Sequence, residues 1–247
     1  MRYFIDISYH GKNYHGWQIQ PEAISVQEVL ERTISTLLRD EIKITGAGRT
    51  DTGVHARQLM AHFDCGKEFD KNEFKFRINS FLPKDIAVNQ VLLVKDDAHA
   101  RFDAVSREYQ YYVLLKKDPF LQELSYLLHT PPDMELMNKA SALLLGHQDF
   151  QCFSRSNTDV KTYYCDVRTA TWEKKGDRLI FTIEADRFLR NMVRAVVGTL
   201  LDIGWGKTNL EHLEEILRSK DRSKAGASAP AHGLFLTKVE YPKTIFI

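Results

Sequence analysis

The sequence is poor in cysteine and has no long apolar run. Its three cysteines, Cys65, Cys152 and Cys165, are an odd number without a Cys-x-x-Cys pair. The pattern therefore indicates neither a disulfide framework nor a zinc site, and it is typical of a reducing cytoplasm. No apolar run reaches membrane-spanning length, and the segment Met1–Asp6 meets a charge too early for a secretory signal. We expect a cytoplasmic protein with no membrane partner and no metal.

Net charge is nearly absent as well. The 247 residues carry 34 Lys and Arg against 33 Asp and Glu, which gives a formal charge of +1. A nucleic-acid partner would have to be met by a local basic surface, because the molecule as a whole attracts phosphates only weakly. Hydrophobic residues make up 43% of the chain and charged residues 27%, a normal globular mixture with enough apolar material for a core.

A glycine-rich stretch, Gly46–Ala56, holds three glycines and the triplet Arg49-Thr50-Asp51. Glycines permit backbone conformations that side chains disfavour, and they let a ligand approach the main chain. A dinucleotide fingerprint fails because Asp51 stands where its third glycine belongs, and a Walker loop fails because Gly-Lys-Ser/Thr is absent. The stretch is either a loop that holds the Asp51 carboxylate in one geometry or a glycine-rich turn capped by a solvated aspartate.

The triplet Asp51-Thr52-Gly53 also matches the aspartic-protease motif. That chemistry needs two carboxylates that share a proton, and no second Asp-Thr-Gly occurs in the sequence. A protease would therefore have to complete its site across a homodimer.

Hydrophobic periodicity predicts alternating strands and helices in the first part of the chain. Period-two alternation predicts a strand at 3–9, and Ser25 with Glu28 forms a capping box that opens a helix. The further elements expected are strands at 42–45, 56–65 and 86–94 and a helix that begins at Asp70 and ends before Pro83. The order strand–helix–strand–strand–helix–strand is that of a ferredoxin-like unit.

The second part of the chain repeats this order without sequence identity to the first. The elements expected are strands at 106–115, 163–173, 179–184 and 234–241 and helices at 133–145, 187–202 and 210–218. We predict an α+β fold of two ferredoxin-like halves, residues 1–104 and 105–247, whose sheets join around a central basic cleft.

The helix predicted at 187–202 carries arginines on one face. Arg187, Arg190 and Arg194 are spaced at i, i+3 and i+7, and Gly198 leaves room for a close partner one turn further on. The row is either a solvated basic edge or a source of cations for an active site. An aspartate that must stay ionised in a water-poor site needs such a cation, because burial alone raises its pKa. Arginine suits this role because it is always charged and can bind a carboxylate through two hydrogen bonds.

Three tyrosines crowd the strand predicted at 106–115. Tyr109 and Tyr111 fall on one face of the strand and Tyr112 falls on the other. Tyrosines in strands usually serve packing, but an exposed aromatic face beside a basic groove also stacks an extruded base. The strand is thus a second candidate for contact with a ligand.

These motifs together resemble the tRNA pseudouridine synthase A family. The most specific match is the signature Gly48–Ala56, and the resemblance covers nearly the whole chain. Further matches are His99–Phe102, Arg107–Tyr111, Phe188–Gly198 and Gly233–Leu236. The resemblance implies a homodimer that isomerises uridine to pseudouridine in the anticodon arm of tRNA, at tRNA positions 38, 39 and 40. That isomerisation is redox-neutral and releases no fragment of the nucleotide, only exchanging a proton, so no cofactor is expected.

The resemblance also implies roles for individual residues. Asp51 is the catalytic nucleophile or base, Arg49 flips the base or fills its gap, and Arg194 pairs with Asp51. Tyr109 stacks on the target uracil. His55 lies outside the family's catalytic set and is interpreted as a structural hydrogen-bonding residue. The full substrate-binding set implied is Arg49, Arg101, Arg107, Tyr109, Arg187, Arg190, Arg194 and Leu234.

Two other classes of protein are compatible with parts of the sequence. A pure RNA-binding module would keep a basic groove and Tyr109 but would not need Asp51. An aspartic protease would need Asp51 but not the row of arginines. Release of tritium from C5-labelled uridine in tRNA separates all three classes.

Overall fold

The computed structural model describes residues 1–155 and 160–247, which form two compact units. Unit 1 comprises residues 1–106 and 236–247, and unit 2 comprises residues 107–235. The C-terminal segment thus groups with unit 1, whereas the sequence analysis placed residues 105–247 together. The predicted mixed α+β class is confirmed. No helix in the described part of the chain combines the length and apolar character needed to cross a membrane.

Unit 1 contains the predicted strand–helix–strand–strand–helix–strand series. Its elements are β1 (Arg2–Tyr9), α1 (Val26–Leu38), β2 (Thr45–Gly46), β3 (His55–Asp64), α2 (Lys71–Phe81) and β4 (Ile86–Val94). The other elements are β5 (Ser106–Leu114), β6 (Tyr126–Leu127), α3 (Met134–Ala142), β7 (Gly146–Asp149), β8 (Tyr164–Lys175), β9 (Arg178–Ala185), α4 (Met192–Gly204), α5 (Leu210–Ser219) and β10 (Leu234–Glu240).

The strands of unit 1 lie in the order β4-β1-β3-β10, and the short β2 pairs with β3 beside this path. The pairs β1–β3 and β1–β4 are antiparallel. Tyr3 and Phe63 lie opposite each other in register, with their ring centroids 5.6 Å apart. Phe74 of α2 packs on the same cluster, 6.3 Å from Phe63. This aromatic cluster fixes α2 against the sheet.

The helix starts were predictable because their caps are local. The Ser25 hydroxyl accepts a hydrogen bond from the Glu28 N–H at 3.2 Å. Asp70 accepts from the Glu73 N–H at 2.7 Å, and Asp133 accepts in the same way at the start of α3. Each cap satisfies an amide that the first helical turn leaves without an intrahelical partner.

The strand predicted at 42–45 is mostly wrong, because only Thr45 and Gly46 form β2. Side chains of α1 occupy the main-chain groups that a strand would have used. The Ile42 N–H donates to the Ser35 hydroxyl at 2.9 Å, and the Ile44 N–H donates to the Glu31 carboxylate at 3.0 Å. The segment packs beside α1 without joining the sheet.

The helix predicted at 187–202 begins only at Met192. Asn191, the residue before it, has a left-handed backbone with φ of 65°, which ends any helix that arrives from its N-terminal side. The preceding residues are held by β8 instead, because Asp186 accepts from the Asp166 N–H at 2.7 Å and donates its own N–H to the Asp166 carbonyl. Arg187 and Arg190 therefore do not share a helical face with Arg194.

The sheet of unit 2 runs in the order β5-β9-β8-β7, with antiparallel pairs along this path. The edge strand β7 was not predicted, and α3 ends at Ala142 although the pattern continued to Leu145. The Gln148 amide caps that end by donating to the Leu143 and Leu145 carbonyls. Asn138 of α3 exchanges two hydrogen bonds with the main chain of Trp172, which fastens the helix to β8.

We expect Ser25→Ala to lower the free energy of unfolding by about 1 kcal/mol, because the Glu28 N–H loses its buried acceptor. Urea unfolding measures the change. Thr36→Ala, an exposed position in the same helix, is the matched control and should stay within about 0.5 kcal/mol of the unmodified chain. Equal effects of the two substitutions would contradict the importance of the cap.

Candidate active site

The loop that carries Asp51 lies between β2 and β3 and is fixed by main-chain hydrogen bonds. The Thr50 carbonyl accepts from the Trp17 N–H at 3.3 Å, and the Asp51 carbonyl accepts from the Val54 N–H at 3.1 Å. The Thr50 hydroxyl lies 2.7 Å from the Tyr9 hydroxyl in a buried hydrogen bond. The residue that precedes Asp51 is therefore tied to the body of unit 1 through both its main chain and its side chain.

Two glycines make this attachment possible. Gly16 has φ of 86°, and a Cβ there would lie 2.3 Å from the Thr50 carbonyl oxygen. A Cβ on Gly11 would lie 2.0 Å from the Val54 carbonyl oxygen. No side chain fits at either distance, so the main chain of residues 11–17 touches the main chain of the loop. We call this contact the loop clamp.

His55 adds a side-chain hydrogen bond to the loop clamp at Gly11. Its Nδ1 accepts from the Gly11 N–H at 2.9 Å, and the residue is 1% exposed. The neutral ring therefore carries its proton on Nε2. The hydrogen bond and the burial fit the interpretation of His55 as a structural hydrogen-bonding residue.

The clamp leaves two charged side chains accessible. Asp51 is half-buried, and Arg49, two residues earlier on the loop, is exposed. A carboxylate on a fixed backbone can meet a substrate without first ordering its loop, and this lowers the entropic cost of the reaction. The Arg49 guanidinium, on the same loop, can contact the same substrate.

Arg101 stands on a tight turn at residues 99–103. The His99 Nδ1 accepts from the Arg101 N–H at 3.1 Å and from the Phe102 N–H at 3.3 Å. The Asp103 carboxylate accepts from the His99 N–H at 2.7 Å. The turn presents an exposed guanidinium 5.7 Å above the ring of Phe102, which is 74% exposed.

His62 supports this turn from beneath. Its Nδ1 accepts from the Ala100 N–H at 3.1 Å, and its ring centroid lies 4.7 Å from that of His99. Burial, together with the charge of Arg2, lowers the pKa of His62 from 6.5 to about 4. Burial also lowers the pKa of His99. Both rings are therefore neutral acceptors at pH 7.

In unit 2, Tyr109 lies on β5 and is half-buried. Its ring meets the Phe188 ring edge-on, with the centroids 5.1 Å apart. Arg107 donates to the Asp186 carbonyl at 2.7 Å, which ties the segment carrying Phe188 to the same strand. The Tyr109 ring thus has a fixed aromatic wall beside it.

Tyr111 serves packing instead. It is 0% exposed, its hydroxyl donates to the Pro230 carbonyl at 2.8 Å, and burial raises its pKa. Tyr112 is 8% exposed and packs edge-on against Phe235. Of the three tyrosines, Tyr109 is the one with accessible surface for a base.

Arg194 lies in the first turn of α4 and is half-buried. Its Nε donates to the Ala229 carbonyl at 2.7 Å. Arg187 is half-buried and Arg190 is exposed, both before the helix, while Leu234 is 5% exposed. The structure therefore gives Arg194 alone, among the three arginines, a position on the helix.

The cysteines show no sign of reactivity. All three are free and buried, and burial raises the pKa of Cys152 and that of Cys165 to about 12 each. These two thiols stay protonated at neutral pH and are poor nucleophiles. The described residues contain no group of three or more His, Cys, Asp or Glu side chains that could hold a metal.

Comparison with known proteins assigns the chain to a class of RNA-modifying enzymes. The model of a family described as tRNA pseudouridine synthase matches residues 7–103 and 140–242. The match covers well over half of the sequence, and the chain belongs to this family. The signature around Asp51 and the whole of α4 lie inside the matched ranges.

Three relatives within the family carry one name, tRNA pseudouridine synthase A. The relative from Parabacteroides distasonis is 50% identical over 99% of this chain and 98% of its own length. The relative from Bacteroides fragilis is 49% identical, again over 99% and 98%. That from Thermoanaerobacter pseudethanolicus is 41% identical over 96% of this chain and 98% of its own. The family resemblance drawn from the motifs is confirmed.

Sequence reasoning missed the loop clamp. Trp17 is 1% exposed, and its N–H is one of the donors that hold the loop. Gly11 and Gly16 in the same segment could have indicated a close approach between main chains. Nothing in the sequence linked those glycines to a loop more than thirty residues away.

The His62 ring makes the stability of unit 1 depend on pH. The unfolded chain takes up a proton near pH 6.5, whereas the folded chain resists it until about pH 4. The contribution of His62 to the free energy of unfolding is therefore complete above pH 6.5 and decreases as the pH falls. We expect a loss of about 2 kcal/mol from this group between pH 7 and pH 5.

Urea unfolding at the two pH values measures this loss. The control is His62→Asn, whose amide oxygen can still accept from the Ala100 N–H but does not titrate. The variant should lose less stability on acidification than the unmodified chain. An equal loss in both proteins would assign the pH dependence to other groups.

Proposed function

We propose that this chain isomerises uridine to pseudouridine in the anticodon arm of tRNA, at positions 38, 39 and 40, with Asp51 as the catalytic carboxylate. The observation that carries the proposal is an accessible aspartate on a clamped loop, within the signature Gly48–Ala56 of a pseudouridine synthase family. A solvated turn would not need the two main-chain contacts at Gly11 and Gly16.

The chemistry requires little beyond that carboxylate. The bond between ribose C1′ and uracil N1 breaks, the base turns, and a new bond forms between C1′ and C5. The proton on C5 then leaves and a proton returns to N1, so that atoms and electrons balance without an oxidant or reductant. Asp51 can start the reaction by attacking the sugar or the base, or by removing a sugar proton.

The target base must first leave its stack, which costs a few kcal/mol. We assign Arg49 to the gap that the base leaves, because it is exposed and lies on the same loop as Asp51. We assign Tyr109 to the extruded uracil, because base–aromatic stacking offsets the lost stack and Phe188 already supports the ring.

The arginines other than Arg49 divide into two roles in this proposal. Arg194 pairs with Asp51, as the family resemblance implies, because a guanidinium can bind a carboxylate through two parallel hydrogen bonds. The remaining arginines contact phosphates. The exposure of Arg101, on its turn, and of Arg190 supports this role. The other members of the proposed substrate-binding set are Arg107, Arg187 and Leu234.

We further propose that the enzyme works as a homodimer in the cytoplasm. The three buried, free cysteines fit a reducing compartment, and the homodimer follows from the family resemblance. Light scattering of the purified chain should give twice the mass of 28.6 kDa, and a mass of one chain would refute the dimer.

Asp51→Asn should lower tritium release from C5-labelled uridine in tRNA by more than about 100-fold. The substitution keeps the shape of the side chain but removes its charge, nucleophilicity and basicity, so the affinity for tRNA should remain. Asp177→Asn, at an exposed hairpin position, is the control and should keep full activity. Turnover by an Asp51→Asn chain whose mass excludes deamidation would rule out Asp51 as the catalytic group.

Tyr109→Leu should slow turnover more than it weakens tRNA binding, because one ring holds the reacting base while most RNA contacts lie elsewhere. The expected loss in rate is roughly 10- to 100-fold, the value of one stacked base. Tyr109→Phe should keep the base in place, and any remaining defect would then report the hydroxyl. Tyr164→Leu, an exposed tyrosine stacked on His147, should change neither quantity. Parallel losses of rate and affinity in Tyr109→Leu would argue against stacking on the target.

A further inference from the structure

Residues 225–230, Ala-Gly-Ala-Ser-Ala-Pro, lie against α4, and we call this segment the strap. A Cβ on Gly198 of α4 would be 1.8 Å from the Ala227 carbonyl oxygen. The Gly226 N–H donates to the Thr199 hydroxyl at 2.9 Å. The main chain of the strap therefore touches the helix directly, and no side chain fits between them at Gly198.

The strap holds Arg194 from two directions. The Ala229 N–H donates to the Arg194 carbonyl at 2.9 Å, and the Arg194 Nε donates to the Ala229 carbonyl at 2.7 Å. The second bond fixes the rotation of the guanidinium plane, because Nε is rigidly coplanar with both Nη groups. A shift of Ala229 would move the charge of Arg194 with it.

Arg222 holds the strap. Its Nη1 donates to the Ala225 carbonyl at 3.3 Å and to the Gly226 carbonyl at 3.1 Å, and its Nη2 donates to the Ser228 hydroxyl at 2.9 Å. The Asn191 amide donates to the same hydroxyl at 2.7 Å. The planar Arg222 guanidinium thus binds residues 225, 226 and 228 of the strap. The Ser228 hydroxyl also links the strap to Asn191, the residue before α4.

The other end of the strap is fastened to β5. The Pro230 carbonyl accepts from the buried Tyr111 hydroxyl at 2.8 Å. Gly233 follows closely, since a Cβ there would lie 2.7 Å from the Tyr111 ring. The strap is therefore anchored at both ends, with Ala229 between the anchors.

We propose that Arg222 is a positioning residue for the isomerisation, acting through the strap on Arg194. The proposal rests on the role of Arg194 given above. Arg222 need not meet the substrate; its guanidinium orders the main chain that sets the Arg194 plane. Lysine cannot replace it, because a single ammonium lacks the planar fork that reaches two carbonyls and a hydroxyl together.

The first test compares Arg222→Lys with Arg218→Lys. Arg218 is an exposed arginine of α5 that pairs with Glu214 and makes no strap contact in the described hydrogen bonds. The readouts are the single-turnover rate of tritium release at saturating tRNA, the Kd for tRNA and the Tm. Arg222→Lys should lower the rate roughly 10- to 100-fold, as misplacement of one charged group does, with the Kd unchanged. Arg218→Lys should match the unmodified chain.

The second test is a double-mutant cycle with Arg194→Met. If Arg222 acts through Arg194, adding Arg222→Lys to the Arg194→Met chain should lower the rate little further. A fully active Arg194→Met chain would overturn the assignment of Arg194 in the proposed function. A slow Arg194→Met chain combined with either a fully active Arg222→Lys chain or independent, multiplying losses would overturn the positioning role of Arg222.

If Arg222→Lys does not fold, two substitutions of Ser228 provide the decisive comparison. Ser228→Ala removes the hydroxyl that Arg222 and Asn191 share, whereas Ser228→Thr keeps it. A rate loss in the alanine variant that the threonine variant restores, at unchanged Kd, supports the proposal. Equal rates in the unmodified chain and the alanine variant would overturn it.

Discussion

The direct contact between two main-chain segments, residues 11–17 and the Asp51 loop, is the constraint on which the candidate site depends. Ordering a loop costs roughly 1–2 kcal/mol per residue in backbone entropy. Here that cost is offset by buried partners, since Trp17 and Tyr9, which hold the loop, are 1% and 4% exposed. The loop can therefore leave Asp51 accessible on a fixed main chain, as the catalytic role proposed for this carboxylate requires.

Unit 2 contains a similar contact between main chains, next to Arg194. Gly198 lets the strap reach the main chain of α4, as Gly16 lets residues 11–17 reach the Asp51 loop. In each unit the glycine removes a side chain so that a backbone carbonyl can approach, and this contact fixes the segment that carries the charge.

The sequence predicted the parts of the fold that local rules determine. The caps at Ser25 and Asp70, the alternation in β1 and the stop before Pro83 depend only on neighbouring residues. Prediction failed where distant side chains occupy the backbone. The Ser35 and Glu31 side chains accept from the Ile42 and Ile44 N–H groups. The Asp186 carboxylate accepts from the main-chain N–H of Asp166 in β8, just before the predicted start of α4. The motif around Asp51 was visible, but the clamp behind it was not, because its partners are far away in the chain.

The most direct measurement is the rate of tritium release by Gly16→Ala and Gly48→Ala, with the Tm of each variant. A Cβ on Gly16 would collide with the Thr50 carbonyl, whereas a Cβ on Gly48, in the Asp51 loop itself, meets nothing within 4 Å. Gly16→Ala should lose roughly 100-fold in rate, as a displaced catalytic group does, while the folded chain still binds tRNA, and Gly48→Ala should keep the Tm of the unmodified chain. A Gly16→Ala enzyme as fast as the unmodified chain would contradict the clamp as the basis of the site.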